Sequence, residues 1–152
     1  MKIIDINTLN YIFNHDLKIK EVHYLAPDIK EESEVTEQVF GRKLSENIKN
    51  ISSEPIFNEG IYLKNYREML NKYRGRSFYN MTGFGDISIL ALLKTLKECY
   101  QNQPRKLFKN MEEELVVITE DEALKKKIEK EFNQSNIDVL WKVKILDNSS
   151  VT

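Results

Sequence analysis

Four consecutive apolar residues, Leu115-Val116-Val117-Ile118, run directly into Thr119-Glu120-Asp121-Glu122. So short and unbroken an apolar run leaves no wet face, so both of its sides must be covered, as the strands of a parallel sheet are. The polar stretch that follows opens a helical pattern reaching Phe132. The same alternation begins at the start of the chain. Lys2-Ile3-Ile4 is a short strand ended by Asp5, and Asn7 or Thr8 is placed to cap a brief helix carrying Leu9, Tyr11, Ile12 and Phe13. Val22-His23-Tyr24-Leu25-Ala26 is a second strand, closed by Pro27-Asp28, after which residues 28–40 read as a Glu-rich helix ended by Gly41.

Residues 43–60 carry a polar helix candidate over 44–48 and a short extended piece at Pro55-Ile56-Phe57. Tyr62, Tyr66, Met69, Leu70 and Tyr73 have helical spacing, and a strongly apolar helix follows Gly83-Phe84-Gly85, running from Asp86 to Tyr100. Residues 139–146 close the chain's regular structure as a last strand around Trp141, Val143 and Ile145. Strands alternating with helices predict a three-layer α/β/α fold, doubly wound around a mainly parallel sheet of about five strands. Without repeats, low-complexity segments or a linker, residues 1–152 read as a single domain.

Composition excludes several classes. At 41% hydrophobic and 31% charged residues, with 3 Pro and 5 Gly, the chain is too apolar for disorder and too poor in Gly and Pro for a fibrous protein. Its 23 Lys and Arg against 24 Asp and Glu leave a net charge of -1, so any nucleic-acid contact has to be local. Apolar runs such as residues 87–93 fall far short of the roughly 20 residues a bilayer span requires, so no membrane is expected as a partner. Cys99, set among Leu93, Leu96 and Tyr100, reads as a small core residue in a reducing compartment, and a cytoplasmic location is expected.

The chemistry-bearing residues are carboxylates. In an open α/β sheet, sites form where the chain leaves the carboxyl ends of strands, and Asp5 and Asp121 both follow a strand. Helical phase at about 100° per residue selects two more. Among Glu31, Glu32, Glu34 and Glu37, only Glu32 falls within the apolar arc of Ile29, Val35, Val39 and Phe40. Asp86 lies near the centre of the arc formed by Ile89, Leu90, Leu92, Leu93 and Leu96. Charges on apolar faces are costly unless paired or ligated. A divalent cation resolves the conflict, and Mg²⁺ or Mn²⁺ suits an all-oxygen donor set, whereas two histidines and one cysteine do not build a zinc site. Each acid also has an ordinary structural reading. Asp5 and Asp86 are placed to cap helices, Thr119-x-x-Glu122 matches a capping box with Asp121 in the first turn, and Glu32 sits in a Glu-rich surface helix.

Taken jointly, Ile3-Ile4-Asp5-Ile6-Asn7, Pro27-Asp28-Ile29-Lys30-Glu31-Glu32, Gly83-Phe84-Gly85-Asp86-Ile87-Ser88-Ile89-Leu90 and Val117-Ile118-Thr119-Glu120-Asp121 resemble the four motifs of the PIN-domain ribonucleases, in that family's order. The resemblance implies an acidic pocket that binds Mg²⁺ or Mn²⁺ and cleaves single-stranded RNA by metal-assisted hydrolysis. By position it makes Asp5, Glu32, Asp86 and Asp121 the metal ligands, with Asn7 and Thr119 as polar helpers. Ser33 stands where the family usually has Leu, which leaves Glu31, Glu32 and Glu34 as alternatives for the second acid.

Arg42-Lys43 and Arg74-Gly75-Arg76 are the candidate basic rim for RNA, with Phe78 or Tyr79 available to stack a base. Many small stand-alone PIN proteins are toxins covered by a small antitoxin, so an antitoxin and a second copy of the chain are the candidate protein partners. Two other readings compete with the nuclease. A degenerate PIN domain would bind nucleic acid or protein without cleaving. A haloacid-dehalogenase-like phosphatase would use Asp5 and Gly85-Asp86, but it needs an acid where Asn7 stands and a strand where Asn80-Met81-Thr82 precede the Gly-x-Gly-Asp stretch.

Overall fold

The computed structural model describes residues 1–29, 37–38, 41, 43, 45–73, 83–101, 114–134 and 142–151. Within them the order is β1 (Lys2–Ile4), α1 (Ile6–Asn14), β2 (His23–Leu25), β3 (Ile48–Asn50), α2 (Glu59–Lys72), α3 (Gly83–Gln101), β4 (Val116–Ile118), α4 (Glu122–Phe132) and β5 (Lys144–Leu146), with short 3₁₀ turns at Pro27–Ile29, Ile51–Ser53 and Asn148–Ser150. The chain divides into two compact units, one of Met1–Ile51 with Glu114–Thr152 and the other of Ser52–Glu113.

The first unit holds the whole sheet. Its five strands are all parallel, in the order β3-β2-β1-β4-β5. From β1 the chain winds outward through α1 to β2 in one direction, and from β4 through α4 to β5 in the other. Right-handed crossovers therefore lay α1 and α4 on opposite faces, which gives the expected three layers. β4 is buried along its length and β1 beyond Lys2, with Ile3, Ile4, Val117 and Ile118 fully inaccessible, because helices cover the sheet on both sides. On α1 the buried Leu9, Ile12 and Phe13 follow the helical period, and on α4 Leu124, Ile128 and Phe132 recur every fourth residue. Asp16 takes a φ of 50° just beyond α1, a left-handed conformation that Asp tolerates better than most residues.

The second unit contains α2 and α3. Tyr62, Asn65 and Met69 form the buried stripe of α2, and Asn65 Nδ2 donates to Thr95 Oγ1 of α3 at 3.1 Å. Residues 86–93 of α3 are all buried, the mark of a helix covered on every side.

Three expectations change. Residues 44–48 do not form a polar helix in the part described: Glu46 and Asn47 are a turn, and Ile48–Asn50 is the edge strand β3. Only Ile48 of that strand is buried, so it left no apolar run to read. Pro55-Ile56-Phe57 is a turn and coil rather than an extended piece, and the apolar helix starts at Gly83 rather than Asp86. Of the Glu-rich helix, the described part comprises the turn at Pro27–Ile29 and the helical residues Glu37 and Gln38; the remainder lies outside the described residues.

Candidate functional site

The winding direction reverses between β1 and β4, and a crevice at the carboxyl ends of two such strands is where doubly wound sheets place ligands. The residues leaving those ends are Asp5 and Thr119-Glu120-Asp121. Asp5 is 7% exposed, and both of its carboxylate oxygens accept hydrogen bonds. Oδ1 takes the backbone N–H of Thr8 at 2.7 Å, so Asp5 is the N-cap of α1, its ordinary structural reading, while Asn7 and Thr8, the other candidate caps, lie inside the helix. The short side chain reaches the third N–H because the chain leaves β1 in extended conformation at Asp5 (φ −86°, ψ 173°).

Oδ2 of Asp5 accepts the hydroxyl of Thr119, which is fully buried. The same Thr119 oxygen accepts the backbone N–H of Asp121 at 3.0 Å. Thr119 is therefore a bridge between the two strand ends and not the cap of a capping box. Asp121 is the N-cap of α4, its Oδ1 accepting from Leu124 N at 3.1 Å, while its Oδ2 takes part in neither of these bonds. Each carboxylate oxygen carries two lone-pair directions, so one hydrogen bond at an oxygen leaves a direction for a further electrophile.

The loop after β5 closes this edge. Thr8 Oγ1 lies 2.8 Å from Asn148 Oδ1 and 3.0 Å from the carbonyl oxygen of Ile118 at the end of β4. Asn148 N donates to Glu120 Oε1 at 2.8 Å. Asp147 caps the turn of Asn148–Ser150, and its hydrogen bond with the Ser149 hydroxyl holds its carboxyl below the usual carboxylate range. Sequence reading found Asp5, Thr119 and Asp121 but missed Thr8 and Asn148 as partners. The Asp147-Asn148-Ser149-Ser150 stretch signals a side-chain-capped turn, yet nothing in it names Thr8, which is 140 residues away.

Asp86, Asn7 and Lys43 are the other expected site residues that the structure describes. Asp86 is buried in the first turn of α3, in the second unit, three residues inside the helix rather than at its cap. Asn7 is exposed at the second position of α1, and Lys43 is exposed ahead of β3. Glu32, its alternatives Glu31 and Glu34, and the rim residues Arg42, Arg74 and Arg76 lie outside the described residues, as do Phe78 and Tyr79.

Among the described residues no three of His, Cys, Asp and Glu gather into a metal-holding group. A hard cation of the Mg²⁺ kind keeps several waters and takes only one or two carboxylates together with substrate phosphate oxygens, so Asp5 and Asp121 are the residues of this edge that would hold one. No helix among the described residues is long and apolar enough to cross a membrane. The chain matches no protein-family model, and no curated protein or solved structure shows significant similarity to it.

Proposed function

We propose that this chain is a PIN-like, divalent-metal-dependent endoribonuclease that hydrolyses single-stranded RNA at the carboxyl edge of its sheet. The observation that supports the reading most is the Thr119 hydroxyl, which joins Asp5 to the backbone of Asp121 across the point where the winding reverses. Asp5 and Asp121 would hold Mg²⁺ or Mn²⁺; Asp86 and Glu32 enter on their sequence motifs alone. A cation bound there supplies Lewis acidity at the scissile phosphate and a more acidic water.

The chain's own residues contribute orientation and charge. Asp5, held at one oxygen by the α1 N-terminus and at the other by Thr119, presents a carboxylate of set rotation, which lowers the entropy cost of binding. Asp121 is placed likewise by its capping bond. Arg42, Lys43, Arg74 and Arg76 are the candidate grip on the RNA backbone. A small antitoxin covering the acidic edge, a second copy of the chain, and a cytoplasmic setting belong to the same reading.

Labelled single-stranded RNA incubated with the protein and Mn²⁺, Mg²⁺ or EDTA tests it, alongside Asp5→Asn and Asp86→Asn. Cleavage that requires metal and falls at least about a hundredfold in both variants is expected, since each removes a direct ligand charge. Absence of cleavage in every metal, with no metal-induced rise in melting temperature, would leave a non-cleaving binding domain. Cleavage that survives both substitutions would exclude these acids.

A further inference from the structure

The β5 loop touches both carboxylate-bearing loops through one residue. The side chain of Asn148 meets the Thr8 hydroxyl, while its backbone N–H holds the Glu120 carboxylate, one residue before Asp121. Thr8 in turn donates its backbone N–H to Asp5 Oδ1 and sets its hydroxyl against the Ile118 carbonyl. A chain of contacts therefore runs from the last strand's loop, through the first turn of α1, to the buried carboxylate at the switch point.

Asn148 is itself held. Asp147 caps its turn, and Val151, just beyond, is 2% exposed and anchors the far side. We propose that Asn148 is a positioning residue for the Asp5 carboxylate, setting the affinity of this edge for a divalent cation without touching the cation. The proposal rests on the metal-dependent reading of the edge. It goes beyond the four acids by assigning control of the site to the loop after β5.

Its physical basis is the geometry of Thr8. A threonine hydroxyl has one hydrogen, and Asn148 Oδ1 and the Ile118 carbonyl oxygen both accept it, so these two neighbours together set where it points. With Asn148 and Ile118 on two sides, Thr8 is fixed at the third position of α1, the position whose N–H determines where Asp5 Oδ1 points. Removing the Asn148 amide leaves the backbone of α1 intact and takes away one of the two contacts that orient its first turn. Changes to groups that orient a metal ligand typically cost about 10–100-fold in affinity.

Calorimetric titration of the full chain with Mn²⁺ alone tests the proposal, using wild type, Asp5→Asn, Asn148→Ala, Thr8→Val and the double variant Asn148→Ala/Thr8→Val. Expected is binding in wild type and loss in Asp5→Asn, with Asn148→Ala weakened about tenfold at an unchanged melting temperature. The double variant should be no weaker than Thr8→Val, because both substitutions break one path, and Thr8→Ser, which keeps the hydroxyl, should restore wild-type affinity. Asn148→Ala binding Mn²⁺ as tightly as wild type, while Asp5→Asn binds none, would overturn the role of Asn148 and leave the metal reading standing. Additive losses in the double variant would also overturn it. A wild-type chain that binds no Mn²⁺ would end both.

Discussion

The two edges of the sheet handle buried polar groups in opposite ways. At the carboxyl edge, Asp5 is 7% exposed and each of its oxygens has a donor, one from a helix N-terminus and one from a buried hydroxyl. At the amino edge, His23 begins β2 beside Lys2 and Ile48, and its side chain is fully buried. Its Nδ1 lies 2.7 Å from the Glu21 carbonyl oxygen and so carries the proton, whereas Nε2 has no hydrogen-bond partner. Burial pushes the His23 imidazole below its usual range, against the opposing pull of the Glu21 carbonyl. The Lys2–Glu21 ion pair nearby is open to solvent, which screens it.

The difference follows from the backbone. Parallel strands direct helix N-termini, with their unpaired N–H groups, to the carboxyl edge, where they stabilise anions. The amino edge has no such supply of donors, and a buried group there becomes neutral instead. A buried carboxylate therefore finds backbone donors at the carboxyl edge, which is also the edge where a cation-dependent site would need one.

Thr119→Val breaks this comparison most strongly. It is close to isosteric, removes the hydroxyl from Asp5 Oδ2 and withdraws the acceptor from Asp121 N. A loss of about 1–3 kcal/mol in urea unfolding is expected, because partly buried groups are left unsatisfied, while Thr119→Ser should recover most of it. A valine variant as stable as wild type would mean that the bridge does little to hold the edge.

A smaller effect sharpens the other side. Because the folded-state pKa of His23 is depressed, the unfolded chain binds a proton that the folded chain does not as the pH falls below about 6.5. Its contribution is present above that pH and is lost on going down through it. Chemical denaturation between pH 7.5 and 5 should show stability falling with acid in wild type and a shallower fall in His23→Phe, which cannot take up the proton. Equal slopes would remove His23 from the comparison.

Legibility in the sequence follows the same division. β1, β4 and α4 were readable because buried strands and four-residue spacing write apolar patterns, and the acids that follow them identified the edge. β3 was not, since an edge strand with one buried residue leaves no pattern. For α1 the sequence offers Asn7, Thr8 and Asp5 as caps, and for α4 a capping box at Thr119; the structure uses Asp5 and Asp121, each the residue directly before its helix. That leaves Thr119 free to bridge the two ends. The contact of Thr8 with Asn148 depends on the sheet order, which puts β5 next to β4 and its loop next to α1, and no local spacing encodes that.

The most direct test is an anomalous difference map from crystals of the wild-type chain soaked in Mn²⁺. A peak within about 2.0–2.3 Å of carboxylate oxygens of Asp5 and Asp121, absent from Asp5→Asn crystals, is expected of a hard-cation site at the carboxyl edge. A map with no peak at that edge, or with Mn²⁺ bound only elsewhere, would contradict it.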